Sequence, residues 1–217
     1  MKILVASEES QRVANAFRAL GHEAYSCDIV PPSGGHPQYH IQDDAREVAY
    51  RGDWDMLIGF PPCTYLSKVS APRLFPKGVL NEERYQKGVE ARQFFEDLYT
   101  APIHYIALEN PTPLKLFNLP QPTQVIQPYM FGEPYTKRTL LWLKNLPPLQ
   151  PTNEVKPIGS WVALNRKKSE RSKTFMGIAN AMAQQWSTLP VPLNNQSSIS
   201  TFLHQQLRRR LQQKKRD

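Results

Sequence analysis

The 217-residue chain is 40% apolar and carries a formal net charge of +8, so it can bury one large core and has little room for a second. No apolar run approaches the roughly 20 residues of a membrane span, and a strand-like run follows Met1 directly, so we expect neither a span nor a signal peptide and a cytoplasmic location. Cys27 and Cys63 are too few for a disulfide framework and lie outside any Cys/His cluster, so we expect free thiols and no metal.

A strand, a helix and a second strand are predicted at the start of the chain. Residues 2–6 form a short apolar run, and residues 9–20 place apolar side chains at helical spacing up to Gly21. Residues 22–27 are predicted to be the second strand, which Asp28 closes. An acid at the tip of the second strand of such a unit can hold the ribose of an adenosine cofactor, and it can also be a simple turn residue.

A loop rich in Pro, Gly and His follows over residues 31–39, and then a short helix over residues 45–50. Asp43 or Asp44 can cap that helix, because a carboxylate at the N-cap accepts from the free backbone N–H groups of the first turn. The capping role does not prevent either acid from contacting a ligand as well.

The most informative stretch is Trp54–Ser67, WDMLIGFPPCTYLS. Residues 55–59 are predicted to be a buried parallel strand, and Pro61 and Pro62 then stop the strand and stiffen the turn that presents Cys63. Ligands of open α/β sheets bind at this end of the strands. Cys63 is therefore a candidate nucleophile if its surroundings lower its pKa, and the alternative is a small buried side chain in a proline turn.

Three elements are predicted after this turn. Residues 68–78 are expected to be a mobile segment over the site, and residues 81–99 give the clearest helix of the chain, capped by Asn81. The residues expected to supply most of the inward face of that helix are Val89, Phe94, Phe95 and Leu98. Residues 104–108 are predicted to be a further buried strand, with Glu109 and Asn110 at its tip.

The remainder of the chain is rich in loops. Residues 111–157 contain half of the 20 prolines, with short strands expected at residues 124–127 and 140–143. A loop from Arg171 is predicted to enter a helix that ends after Trp186, because prolines follow it. The tail over residues 193–217 carries six Arg and Lys side chains near its end, and we expect it to be helical or disordered.

Several motifs resemble those of the cytosine-5 DNA methyltransferases, in the same order. GFPPCTYLS at residues 59–67 is similar to the family's catalytic loop GGPPCQGFS, and Glu109-Asn110-Pro111 is similar to its ENV motif. Residues 131–139 resemble GVPQxRxR, residues 178–181 resemble part of IGNAV, and Asp44 falls at the acid of the family's Gly-Asp-Ile.

The resemblance implies an α/β fold with a doubly wound, Rossmann-like sheet of the S-adenosylmethionine-dependent methyltransferase type, in three α/β/α layers. It implies one domain over residues 1–192, followed by the basic tail. The Cys63 thiolate would attack carbon 6 of cytosine, Glu109 would stabilise the activated ring, and S-adenosylmethionine would donate a methyl group to carbon 5. The residues expected to bind the donor are Ala6, Ser7, Glu8, Asp28, Asp44, Pro61 and Asn180. Those expected to bind the substrate are Ser67, Asn110, Lys137 and Arg138.

The loop after the first strand departs from the family's pattern. The family has FxGxGG there, whereas Ala6–Ser10 contains no glycine. Because glycine lets the backbone approach a cofactor closely, either the path of this loop or the pose of the cofactor must differ. Glu8 in the same loop is a candidate to bind the ammonium group of the donor.

The region around residues 131–177 departs as well. Tyr135 stands where the family has Gln, and Lys137 and Thr139 stand where it has Arg. Lys137 and Arg138 can still bind a phosphate or the base carbonyl, and the alternative is an ordinary strand with a basic entrance. The stretch between Thr139 and Gly177 is too short for the separate target-recognition domain of a typical sequence-specific DNA methyltransferase.

We therefore expect DNA, single-stranded DNA included, or a cytosine nucleotide as the substrate. Two alternatives stay open. One is an enzyme that modifies carbon 5 of a pyrimidine in another way after the same thiol addition, and the other is a non-catalytic nucleic-acid-binding relative that has lost the donor site. Cys63 and Glu109 favour an enzyme, the missing glycines favour a change at the donor end, and the basic tail alone would favour binding.

Overall fold

The computed structural model describes residues 1–165 and 167–192, and the predicted basic tail at 193–217 lies outside the described residues. The strands are β1 Lys2–Ala6, β2 Glu23–Asp28, β3 His40–Gln42, β4 Met56–Gly59, β5 Tyr105–Asn110, β6 Gln124–Ile126, β7 Tyr135–Thr136, β8 Thr139–Lys144 and β9 Gly159–Ser160. Seven of them form one sheet in the order β3-β2-β1-β4-β5-β8-β6, and β7 pairs separately with β9.

The helices lie on both faces of this sheet. They are α1 Arg12–Ala19, α2 Ala45–Arg51, α3 Ala71–Leu74, α4 Glu82–Tyr99, α5 Trp161–Leu164, α6 Lys168–Ser172 and α7 Met176–Trp186. Apolar residues of α1 and α7 share one buried cluster with the sheet, and those of α2 and α4 share another. The predicted three-layer α/β/α fold is therefore confirmed. Among the described residues, none of the helices has the length and hydropathy needed to cross a membrane.

The order of the strands fixes where a ligand can bind. β1, β2, β3, β4 and β5 pair in parallel, in the sequence 3-2-1-4-5 of a doubly wound sheet. β8 enters antiparallel between β5 and β6. The chain winds outward in two directions from β1 and β4, and the crevice at the carboxyl ends of such strands is the usual ligand site.

The structure corrects two of the predicted element boundaries. α1 begins at Arg12 rather than at residue 9, because Gln11 has the left-handed φ of 57° and interrupts the helical path. β5 continues beyond residue 108 to Asn110, because Glu109 and Asn110 pair with β8, a partner that the local sequence does not reveal.

The inward face of α4 also differs from the prediction. Val89 is 39% exposed, so its assignment to the core was wrong. The buried side of α4 consists of Gly88, Ala91, Phe95 and Leu98. Residues 68–78, predicted as a mobile segment, follow a path of short helical turns in which Leu74 is buried.

Candidate active site

The turn that carries Cys63 begins at the carboxyl end of β4, as predicted. The N–H of Phe60 donates to the carbonyl of Ala6 on β1 at 3.0 Å, which holds the start of the turn at the level of the neighbouring strand end. The carbonyl of Cys63 accepts from the N–H groups of Leu66 and Ser67 at 3.1 and 3.0 Å. Cys63 is in no disulfide and is half-buried, so the fold leaves its thiol partly accessible.

This turn is fixed to the chain that follows β5. The side-chain amide of Asn110, which is fully buried, donates to the carbonyl of Pro61 at 3.0 Å. Backbone bonds from Lys68 N to Thr112 O, at 2.9 Å, and from Leu114 N to Leu66 O, at 2.7 Å, continue the attachment. The tips of β4 and β5 therefore hold Cys63 and Glu109 on one joined piece of structure.

Two residues predicted to bind substrate instead serve this attachment. Asn110 has no exposed surface, and Ser67 is 8% exposed and bridges to Pro113. Both lie beneath the surface of the site, where they hold the loop in place. A buried amide that bonds a proline carbonyl positions the backbone and does not need to touch a ligand.

Glu109 lines a pocket at the carboxyl edge of the sheet. The other lining residues are Phe60, Lys137, Thr139, Ser172, Thr174, Phe175, Ile178 and Met182. Burial raises the pKa of Glu109 above its usual range, and the positive charge of Lys137 opposes that rise. The pocket thus combines apolar walls with one carboxyl group and one ammonium group, the pattern of a small-molecule or base-binding site.

Lys137 and Arg138 have different surroundings, although they are neighbours in the chain. Lys137 lines the pocket, and its Nζ donates to the carbonyl of Arg171 at 3.1 Å. Arg138 is exposed outside the pocket. Tyr135, which stands where the family has Gln, packs its ring on Trp161 and Phe175 at centroid distances of 4.8 and 6.2 Å.

The loop after β1 adopts left-handed backbone without glycine. Ser7 has φ 58° and Gln11 has φ 57°, conformations that glycine adopts at lower cost. Gln11 then braces the 31–39 loop, since its side chain bonds both backbone groups of His36. The loop therefore turns at Ser7 and Gln11 without glycine.

Glu8 does not face a ligand, and its predicted contact with an ammonium group is wrong. It is 4% exposed, and its two carboxylate oxygens accept from the N–H groups of Val13 and Ala14 at 2.8 and 3.2 Å. Burial raises the pKa of Glu8 to about 7, although both hydrogen bonds favour the charged form. Glu8 is an internal cap for α1.

The two aspartates predicted to hold the donor differ in how available their carboxylates are to a ligand. Asp28 is half-buried, and one of its oxygens accepts from the N–H of Val30 at 3.2 Å. Asp44 caps α2 through the N–H of Arg46 and also binds the guanidinium of Arg46, with a contact of 2.6 Å. The capping role of Asp44 is confirmed, and Asp28 is the more available acid.

Asn180 lies on the exposed side of α7. The residues of α7 that line the pocket around Glu109 are Ile178 and Met182, which are one helical turn apart. The contact of Asn180 with the donor stays a prediction. Ile178 and Met182 could have been identified from their shared helical face, and Phe60 from its position next to the Cys63 turn.

Within residues 1–165 and 167–192, no group of three or more His, Cys, Asp and Glu side chains is arranged to hold a metal ion. No protein-family model matches the chain, and no curated protein matches it. Among solved structures, one similar chain is an E. coli protein encoded within a prophage and described as a candidate DNA modification methyltransferase. It shares 16% sequence identity and a TM-score of 0.38, and the alignment covers 66% of this chain and 46% of the other. This chain therefore spans less than half of that structure, and a likeness so distant carries no argument about function.

Proposed function

We propose that this protein transfers a methyl group from S-adenosylmethionine to carbon 5 of cytosine in DNA, through a covalent adduct with Cys63. One observation carries the proposal. The bond from Asn110 to the carbonyl of Pro61 joins the Cys63 turn to the strand end that presents Glu109. A thiol and a carboxyl group held in this way are the pair that addition to a pyrimidine ring requires.

Glu109 would prepare the ring for the thiolate. Its raised pKa suits it to share a proton with ring nitrogen 3, while it accepts from the exocyclic amine. Withdrawal of electrons from the ring makes carbon 6 electrophilic. The Cys63 sulfur then bonds to carbon 6, and the electron pair displaced from the 5,6 double bond makes carbon 5 nucleophilic.

The reaction is completed by an elimination. Carbon 5 takes the methyl group and then loses its proton to a base, and the electrons of that C–H bond restore the double bond as the sulfur leaves. Lys137 is suited to bind the carbonyl of the ring, because its ammonium group and Glu109 line the same pocket. Phe60, Ile178 and Met182 would exclude water from the adduct.

The carboxyl edge near β1 and β2 fits a donor that is cationic and lacks phosphate. In dinucleotide-binding folds the first helix offers free N–H groups to a pyrophosphate, but here Glu8 already occupies those of Val13 and Ala14. Asp28 stands where a ribose can be held, and Ile29 beside it is 73% exposed, which suits an adenine face. When bound, S-adenosylmethionine supplies an electrophilic methyl group on a sulfonium centre.

A trapping experiment tests the proposal. An oligonucleotide with 5-fluorocytosine cannot lose a proton from carbon 5 after methylation, so the adduct should persist on the enzyme. We expect mass spectrometry to find the adduct on the Cys63 peptide of the wild type in the presence of the donor. It should be absent from Cys63→Ser and strongly reduced in Glu109→Gln, with circular dichroism showing that both variants fold.

Cys27 provides the matched control. It is fully buried, and burial raises the pKa of its thiol to about 12, so Cys27→Ser should form the adduct as the wild type does. Methyl transfer by Cys63→Ser would exclude the covalent mechanism. An adduct that forms equally well without the donor would favour another carbon-5 modification, and binding without any adduct would favour a non-catalytic nucleic-acid-binding protein.

A further inference from the structure

A ridge of uncompensated positive charge lies in the two segments that follow β4 and β5 in the chain. This cationic ridge consists of Lys68, Arg73, Lys77 and Lys115, all exposed. Residues 60–81 and 110–132, which contain it, include no Asp or Glu. Among the described residues the ridge side chains form no ion pair, whereas Lys87 nearby is paired with Glu83. The ridge is therefore suited to several phosphates in succession.

An apolar surface borders the pocket. This apolar outcrop consists of Ile158, Val162, Leu164 and Met176, which are 71%, 49%, 58% and 47% exposed. It is attached to the pocket through Trp161, whose ring packs on Phe175 at 5.1 Å, and Phe175 lines the pocket. Exposed aliphatic side chains in one place commonly mark a binding surface.

The ridge and the outcrop belong to different faces of the sheet. Leu66 and Leu74, beside the ridge, pack with Ala91 of α4, which lies on the same face as α2. Trp161 and Phe175, beneath the outcrop, pack in the cluster of α1 and α7. The pocket lies at the carboxyl edge on the α1 and α7 side, since its lining residues Phe175, Ile178 and Met182 belong to that cluster. A ligand that runs from the pocket over the carboxyl edge would meet the apolar outcrop on the near face and the cations on the far one.

We propose that the acceptor strand enters with its bases unpaired, its phosphates on the cationic ridge and its neighbouring bases on the apolar outcrop. This rests on the proposed function, because the pocket would hold the cytosine. A duplex hides the faces of its bases and would leave the outcrop exposed to water, whereas unpaired bases offer apolar faces. A free nucleotide carries too few phosphates to use the whole ridge. Single-stranded nucleic acid is the occupant that uses both surfaces.

Binding measurements with four proteins test this assignment. The probe is one fluorescent oligodeoxynucleotide, used alone and annealed to its complement, with anisotropy recorded from about 50 to 200 mM salt. The wild type should bind the single strand at least about tenfold more tightly than the duplex. The double variant Ile158→Thr with Val162→Thr should weaken single-strand binding about fivefold and change duplex binding by less than about twofold, since aliphatic burial is lost.

The variant Lys68→Gln with Lys77→Gln should weaken binding to both forms and lower the single-strand salt slope by about 1.4, the value for two phosphate contacts. The matched control is Val191→Thr, a valine that is 61% exposed next to Pro190, whose carbonyl accepts from Tyr105 at the amino end of β5. It should bind as the wild type does. Equal or tighter binding of the duplex, or no effect of the outcrop variant, would overturn the proposal.

The outcome is separable from that of the proposed function, because these measurements need no donor and no turnover. Methylation that proceeds with a preference for duplex would leave the proposed function standing and exclude the unpaired strand. If the protein prefers the single strand through both surfaces but forms no adduct on Cys63, the unpaired strand would stand and the proposed function would be excluded.

Discussion

Glu8 occupies the place where a doubly wound fold usually admits a ligand phosphate. Its carboxylate meets the first free N–H groups of α1, and the favourable end of the helix dipole is thereby used inside the protein. The cost is a buried carboxyl group, whose pKa rises to about 7 because burial outweighs the hydrogen bonds. Glu8 thus makes these N–H groups unavailable to a phosphate. It also makes the stability of the protein depend on pH.

The effect of Glu8 on stability can be measured. Its pKa is 4.5 when unfolded and about 7 when folded, so the folded state binds the proton more tightly. The contribution of Glu8 to stability should therefore be greatest below about pH 4.5 and fall by about 3 kcal/mol as the pH rises to about 7. Glu8→Gln, which stays neutral, should lack this component in urea unfolding at a series of pH values. Identical pH profiles for the two proteins would contradict the assignment.

Asp28 should carry the binding of the donor. A ribose hydroxyl that donates to a charged acceptor contributes about 1.5–3 kcal/mol, so Asp28→Ala should weaken S-adenosylmethionine and S-adenosylhomocysteine binding at least about tenfold in calorimetry. The control is Asp53→Ala, which removes an exposed carboxyl group just before β4, at the amino edge of the sheet, and should bind the donor as the wild type does. Equal losses in both variants would assign the effect to the fold, and no binding by the wild type would exclude the donor.

At the scale of residues, the sequence predicts a site where a reactive side chain follows a buried strand. Cys63 and Glu109 each follow a buried strand, and the ends of neighbouring parallel strands meet at one edge. Glu8 was misassigned because its role depends on which way its side chain turns. The inward turn of Glu8 follows from the left-handed Ser7 before it, a conformation that no local pattern indicates for serine.

At the scale of elements, the start of α7 is fixed by a contact that admits only glycine. The N–H of Gly177 donates to Oε1 of Glu133 at 2.7 Å, which caps the helix. A Cβ at residue 177 would lie 1.9 Å from the carbonyl oxygen of Phe131 and 2.6 Å from Oε2 of Glu133. Because α7 supplies two walls of the pocket, this contact also sets the shape of the site.

Gly177→Ala should therefore destabilise the protein although alanine favours a helix. Helix propensity would add about 1 kcal/mol, but overpacking against backbone that cannot move costs about 1–3 kcal/mol or more. We expect a net loss in thermal unfolding and weaker substrate binding. Asn180→Ala, on the exposed side of the same helix, should be neutral or slightly stabilising and leave substrate binding unchanged. A Gly177→Ala protein as stable as the wild type would show that the start of α7 can shift.

Elements with strong local signals were predicted well, and those that depend on distant partners were not. β1, α2 and α4 follow from apolar spacing and from caps such as Asn81, whose side chain accepts from the N–H of Arg84. The pairing of β7 with β9, and the entry of β8 between β5 and β6, join segments far apart in the chain. No pattern within one segment specifies such a partner.

For the molecule as a whole, charge is divided along the carboxyl edge of the sheet. Acidic residues gather around β1, β2 and β3: Asp43 and Asp44 bind Arg51 and Arg46, whereas Glu9 and Asp28 have no ion-pair partner among the described residues. The cationic ridge lies beyond β4 and β5. A cationic donor and a polyanionic acceptor would thus approach from different ends of one edge, which suits a reaction that joins them at the pocket between.

The basic tail adds further positive charge to the molecule. Ending the chain at Pro192 shows what this charge contributes to binding. Residues 1–192 include the three apolar clusters and the bond from Tyr105 to Pro190, so the melting temperature should change little. The tail carries six Arg and Lys side chains between residues 208 and 216, so its loss should lower the single-strand salt slope by up to about 4. Replacing the six with Gln in the full chain should give the same slope. An unchanged slope would show that the tail makes no phosphate contacts and leave the ridge as the source of the salt dependence.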